Sequence, residues 1–220
     1  MILQYDFSPV IPQLGDCKAN AVSIMIPCYE DSPKLRRTIW SIARNCDLDV
    51  NIVISCEKQS VAENHNACLP YIKNDIVIRM DDDVILSPCF TSIFATIIES
   101  DERIGAVSAK MSSINLEAQN FLHEINEDMA QLPAPPPGTC FAVSMSRLDG
   151  FEADDAYEAS QWEDTDIFMH MIKNLNLAVV GTQLVWVLHE NNYTNNTTQT
   201  WNANKAYFQE KWGDVDKSET

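Results

Sequence analysis

The chain has 220 residues, 45% of them hydrophobic and 21% charged, which suffices for one soluble domain (1–220) with a substantial core. A formal net charge of −17 argues against binding nucleic acid or an anionic membrane surface by charge, and an anionic substrate would need a cation to offset the field. Seven cysteines without CxxC pairs read as reduced thiols of a cytosolic protein; the sequence shows neither a leader-like amino terminus nor an apolar run long enough to span a bilayer.

Strand-like and helix-like segments alternate, which predicts an α/β fold with a mostly parallel sheet flanked by helices. Val22 to Ile26 is the first strand, stopped by Pro27-Cys28-Tyr29. Pro33 to Cys46 is a helix with Pro33 in its first turn and Leu35, Ile39, Trp40 and Ile42 inward. Asn51 to Ser55 is a strand and Ser60 to Tyr71 a short helix; the Ile76 to Met80 strand then runs into Asp81-Asp82-Asp83. A helix over Pro88 to Ser100 and a strand over Gly105 to Ala109 follow.

The later half is organised differently. Leu132 to Gly138, rich in proline, is a rigid loop into the strand Thr139 to Ser144. An acid-rich stretch, Glu152 to Glu158, leads to Trp162-Glu163-Asp164-Thr165-Asp166 and a helix over Ile167 to Leu175. Ala178 to Leu188 is the last strand and ends in His189. Asn191 to Asn204 is polar and reads as a loop able to close over a ligand. Without a leader its Asn-x-Thr triplets, such as Asn192-Tyr193-Thr194, are discounted as glycan acceptors.

Carboxylates at the carboxyl end of a buried strand stand where open α/β sheets bind ligands. Strand geometry points Asp81 and Asp83 to one side and Asp82 to the other, so the outer pair can share a divalent ion. The alternative is a solvated acidic turn that caps the next segment. Asp164, beside Glu163 and Asp166, is either a general base with a pKa raised by its neighbours or an N-terminal helix cap. His189 offers a neutral imidazole to a metal, unless it is simply a satisfied structural histidine. His65, His123 and His170 lack motifs and read as structural.

Val22 to Tyr29, Asn66 fifteen residues ahead of Asp81, the aspartate triplet, Gly150-Phe151-Glu152 and Trp162 to Asp166 resemble, in order and spacing, the successive motifs of family-2 glycosyltransferases of the GT-A fold. The likeness covers residues 20 to 190 and implies a nucleotide-sugar half near 20–110 and an acceptor half near 111–220. It implies transfer of a sugar, with inversion, from a nucleoside diphosphate donor to a hydroxyl of a glycan or other acceptor, with Mn2+ or Mg2+ on the diphosphate. On this likeness Pro27 and Tyr29 line the base and ribose pocket, and Glu57 stands where the family often has an aspartate. Asn66 and Asp82 lie in the donor motifs, Asp81 meets ribose or metal-bound water, and Asp83 and His189 hold the metal. Arg79 meets a phosphate or pairs with an acid; Asp164 is the base, and Trp162 and Glu163 hold the acceptor. His65 replaces the family's usual arginine.

The small size also resembles the compact glycosyltransferases of large algal viruses, which implies UDP-glucose or UDP-rhamnose as donor and a host cytoplasm as location. Two other classes fit parts of the sequence. A haloacid-dehalogenase-type phosphotransferase would use Asp81 as nucleophile and Asp83 as acid, although there the strand usually opens the domain. A non-catalytic carbohydrate-binding module would keep the fold and bind donor without turnover.

Overall fold

The computed structural model describes residues 1–13, 17–113, 138–189 and 198–213. In chain order the elements are β1 (Ile2–Phe7), β2 (Ala21–Cys28), α1 (Pro33–Asn45), β3 (Asp49–Cys56), α2 (Val61–Cys68), β4 (Ile76–Met80), β5 (Val84–Leu86), α3 (Phe90–Ser100), β6 (Ile104–Ser113), β7 (Cys140–Ser144), α4 (Glu163–Lys173), β8 (Ala178–His189) and α5 (Thr198–Trp212). Local chemistry sets several boundaries. Ser32 accepts the Leu35 N–H at 3.2 Å with Pro33 next in line, which starts α1. Ser60 and Glu63 form a reciprocal capping box that starts α2.

The strands form one sheet in the order β1-β3-β2-β4-β7-β6-β8-β5. It is mixed rather than mostly parallel. The β2/β3, β2/β4 and β6/β8 pairs are parallel, whereas β1/β3, β4/β7, β6/β7 and β5/β8 are antiparallel. A strand buried on both faces, such as Cys140–Ser144, carries the same apolar signal in either direction, so the pattern could not reveal its orientation. Apolar side chains of α1 and α3 cover one face (Leu35, Ile42, Phe90, Phe94) and those of α2 and α4 the other (Ala62, Cys68, Ile167, Phe168).

Four further expectations change. β1 is an unforeseen edge strand whose half-exposed alternation is weak. Trp40 is 61% exposed and stacks on Arg44 instead of facing the core. The acidic motif lies inside the first turn of α4 rather than before it. Of the polar stretch 191–204, residues 198–204 are helical in α5, while 191–197, like the proline-rich 132–137 and His123, lie outside the described residues.

His65 lies at the join between α2 and the loop that precedes α4. It is fully buried, its Nε2 donates to the Phe151 carbonyl at 2.6 Å, and its ring meets the Phe151 ring edge-on at 4.8 Å. Burial pushes its pKa down to about 3, so it is neutral in the fold, although the Phe151 carbonyl favours the protonated form. The unfolded chain takes up this proton near pH 6.5, whereas the folded chain refuses it until about 3. Stability from this group is therefore complete above pH 6.5 and is lost as pH falls through that window. His65→Gln should flatten the fall in urea-derived stability by about 1.4 kcal/mol per pH unit there; equal slopes in the two proteins would show that His65 does not contribute.

Candidate active site

The carboxyl ends of the parallel strands β2, β3 and β4 share one edge of the sheet, and the acidic turn leaves β4 there. Asp81 and Asp83 both face His189 at the end of β8: its Nε2 is 3.0 Å from Asp83 Oδ1 and 3.7 Å from Asp81 Oδ2. Antiparallel pairing of Val84 with His189 makes that meeting possible. Thr38 of α1 pins the turn, because its buried hydroxyl accepts the Val84 N–H at 3.0 Å and lies 2.9 Å from the Asp82 carbonyl oxygen. Lys34, one turn earlier, places its ammonium 3.7 Å from Asp83.

The electrostatics follow from this crowding. Burial raises the pKa of Asp82 to about 6, and the charges of Asp81 and Asp83 add to the shift. Burial also raises Asp81, with Arg79 and His189 opposing. Burial would raise Asp83 too, yet the His189 hydrogen bond and the His189 and Lys34 charges outweigh it and leave Asp83 lowered. His189 is the mirror case: burial lowers it, but Asp83 and Asp81 prevail and raise it.

These three side chains fit a divalent ion. One ligand atom from each of Asp81, Asp83 and His189 lies within 4.8 Å of the others. Two carboxylates with one imidazole suit Mn2+ or Mg2+ better than a thiolate-seeking metal. The remaining ring nitrogen of His189, Nδ1, is buried without a hydrogen-bond partner among the described residues.

Across from the turn stands the start of α4, joined to it through Arg79. Its guanidinium, 3% exposed, donates to Asp81 Oδ1 at 2.9 Å, the Gly138 carbonyl at 2.5 Å and Glu163 Oε1 at 3.2 Å. Burial and then the neighbouring Asp164 charge push Glu163 up to about 7. Asp164 is half-buried, and its Oδ1 accepts the Thr165 N–H at 2.7 Å. Its other oxygen lies against Gly138, where a Cβ would overlap it, so only glycine allows so close a backbone.

The other predicted residues are placed as follows. Pro27 is buried at the end of β2, Tyr29 is 41% exposed just beyond it, and Glu57 is exposed after β3. Asn66 locks the Ala153 backbone with two 2.8 Å bonds, through Nδ2 to the carbonyl and Oδ1 from the N–H. Trp162 is 1% exposed, packed between Phe208 and Trp201. Sequence reasoning missed Asn64, whose buried amide orders the turn after β3: its Oδ1 accepts from the Ser55 hydroxyl at 2.7 Å and the Glu57 N–H at 3.2 Å. It also missed Thr38 and Lys34. A polar residue three places after Leu35 and four before Ile42, on the inward face of α1, was the available signal for Thr38.

No protein-family profile and no curated protein matches the chain. Solved structures do. GalNAc-T7 with UDP, GalNAc and Mn2+ superposes with a TM-score of 0.61 at 12% identity, over 88% of this chain and 50% of that one. S. aureus TarS, residues 1–349 in complex with UDP, gives 0.60 at 12% identity, over 90% and 67%. A longer S. aureus TarS structure gives 0.59 at 11% identity, over 91% and 41%. These are GT-A glycosyltransferases. This chain has the GT-A fold. It spans half the length of the GalNAc-T7 chain it matches, and at such identity the likeness establishes the architecture alone.

Arg79 generates a test of the site's construction. Arg79→Met keeps the apolar stem but leaves Glu163 and Asp81 without their shared cation, and losing one member of a buried charge cluster costs roughly 3–5 kcal/mol. Urea unfolding should show a loss of that order at neutral pH; a change within about 0.5 kcal/mol, the usual range for surface positions, would mean that solvent already screens the cluster.

Proposed function

We propose that the chain is a metal-dependent glycosyltransferase that moves a sugar from a nucleoside diphosphate donor, most simply a UDP-sugar, to the hydroxyl of a glycan or other acceptor, with inversion. The observation that carries this reading is the Asp81, Asp83 and His189 group on a GT-A sheet edge, opposite Glu163 and Asp164. The UDP-bound neighbours support it. The whole chain would be one catalytic domain, its donor half within 20–110 and its acceptor half within 111–220. UDP-glucose and UDP-rhamnose are the donors to try first.

Asp81, Asp83 and His189 would hold Mn2+ or Mg2+, which when bound supplies the positive charge that a departing diphosphate needs. Every other role falls to the chain. The edge at Pro27, Tyr29 and Glu57 takes the nucleoside, with Asn64 fixing the Glu57 backbone and Asn66 fixing the loop that leads to α4. Arg79 serves this site from within, by holding Asp81 and Glu163 rather than by meeting solvent. Asp164 accepts the proton of the acceptor hydroxyl, and Gly138 fixes where its carboxylate stands. Glu163 is held by Arg79 beside it and, with Trp162 anchoring the backbone, supports the acceptor side. A single inverting displacement needs one such base, not the two closely spaced carboxylates of a retaining hydrolase.

Two variants test the reading. Asp83→Ala removes an ion ligand, so it should abolish the Mn2+-dependent rise in Tm and the UDP-sugar turnover together. If calorimetry instead finds UDP bound equally with and without Mn2+ in the wild type, the acidic turn is only a cap and the proposal fails. Asp164→Asn keeps the shape but cannot accept a proton, so UDP affinity and the Mn2+ response should survive while transfer falls about a hundredfold or more. A wild-type protein that binds UDP with Mn2+ but never releases UDP from a donor would be the non-catalytic module instead.

A further inference from the structure

Just before α4 the backbone adopts angles that side-chain-bearing residues avoid. Ala159, Gln161 and Trp162 have φ of 57°, 82° and 76°. In this left-handed region the Cβ crowds the following carbonyl oxygen, so each residue is held there against its own preference. Such a run persists only where the surroundings over-determine it. The residues that follow immediately are Glu163 and Asp164.

The surroundings are chiefly α5. Asn204, 2% exposed, accepts the Glu158 N–H at 3.1 Å through Oδ1, and its Nδ2 donates to the carbonyls of Glu158 at 2.8 Å and Gln161 at 3.2 Å, with the Ser160 carbonyl at 3.5 Å. One side chain thus supplies the loop with the backbone partners that a regular element would have given it. The Trp162 ring centroid lies 4.8 Å from that of Phe208 and 5.8 Å from that of Trp201, both on α5. Further along, Asp166 accepts from Lys211 Nζ at 3.0 Å and Trp212 Nε1 at 2.5 Å. From the opposite side only the Val61 N–H, 2.7 Å from the Ala159 carbonyl, joins the described hydrogen bonds of that residue. The buried residues of α5 are Asn204 and Phe208, so the helix docks through the same groups that fix the loop.

We propose that Asn204 is a positioning residue for the base: it holds the loop from Glu158 to Trp162, with Ala159, Gln161 and Trp162 left-handed, in the conformation that aims the Asp164 carboxylate, and does so independently of the donor side. This inference rests on the glycosyltransferase reading of Asp164. Its physical content is a division of labour. Among the described residues the hydrogen bonds of Asn204 go to Glu158, Ser160 and Gln161, whereas the ends of β2, β3 and β4 and the Asp81, Asp83 and His189 group are built without it. Releasing the clamp should therefore move the base and leave nucleotide and ion binding in place.

The test compares wild type, Asn204→Ala, and Asn204→Ala combined with Ala159→Gly, measuring UDP affinity with Mn2+ by calorimetry and UDP release from UDP-glucose and UDP-rhamnose. Asn204→Ala should lower kcat by about tenfold or more while UDP affinity stays within about twofold. Adding Ala159→Gly removes a Cβ that resists the left-handed angle, so it should restore part of the lost rate, an effect no general loss of packing would show. Parallel loss of UDP affinity and kcat, or an unchanged kcat, overturns the proposal. If the wild type binds UDP but cleaves neither sugar, amide hydrogen exchange decides. Asn204→Ala must then speed exchange across 158–166 by about tenfold with β2 to β4 unchanged, and equal exchange overturns it. A wild type that binds no UDP sinks the glycosyltransferase reading itself, and this proposal with it.

Discussion

The site depends on one buried guanidinium. Arg79 interrupts an Ile-Val-Ile run in the middle of the sheet, where an unpaired charge would be prohibitive. It is tolerable because its donors reach two carboxylates and a carbonyl: Asp81 two residues on, and Gly138 and Glu163 from segments distant in sequence. Burial works against its charged form, yet Asp81 and Glu163 more than compensate, so it stays charged. Around it an acidic chain can gather Asp81, Asp83, Glu163 and Asp164 on one edge, with His189 and Lys34 serving the outer side of the turn. Without that inner cation the two acid clusters would repel one another.

The direction of β7 is the second constraint. Because β7 runs antiparallel beside β4, its first residue, Cys140, pairs with Met80, and the Thr139 carbonyl receives the Asp81 N–H at 2.9 Å. Gly138 is thereby delivered both to Arg79 and to the back of Asp164. A parallel β7 would instead have put its carboxyl end, Ser144, at this edge and left Arg79 without its carbonyl partner. The mixed sheet is thus part of how the site is assembled.

This explains what sequence reasoning could and could not reach. The positions of β2, β3, β4, α1, α2 and α3 follow from apolar period and from Pro33, Ser60 and the aspartates that follow β4. Asp81 and Asp83 do face one histidine, but they lie in the turn between β4 and β5, so it is the turn and not strand alternation that orients them. Strand direction is not local, and neither is the exposure of Trp40, which depends on what lies over α1. Asn64 and Asn204 were invisible for a different reason: each is one polar residue whose partners are mostly backbone atoms, and backbone partners leave no signature in composition. His65 read as structural, and its buried bond to Phe151 gives that reading a mechanism, whereas the polar stretch up to Asn204 misled because polarity was taken for looseness.

The balance of protons at the edge connects the fold to its ligands. Asp82 and Glu163 titrate near 6 and 7, both chiefly because they are buried. A carboxyl whose folded pKa exceeds its unfolded one favours the fold while protonated, and this contribution fades as pH rises from about 4 through those values. The raised His189 fades over a higher window, since its protonated form is the one that Asp81 and Asp83 stabilise. At neutral pH the ligand-free edge therefore carries more uncompensated negative charge than at pH 5. A divalent ion held by Asp81, Asp83 and His189 would reverse that trend, and since an imidazole binds metal only as the neutral ring, holding it would require His189 to give up its proton. The same crowding that weakens this edge locally would favour a cation there, and in a chain of net charge −17 a bound cation would lessen the repulsion felt by any anionic ligand.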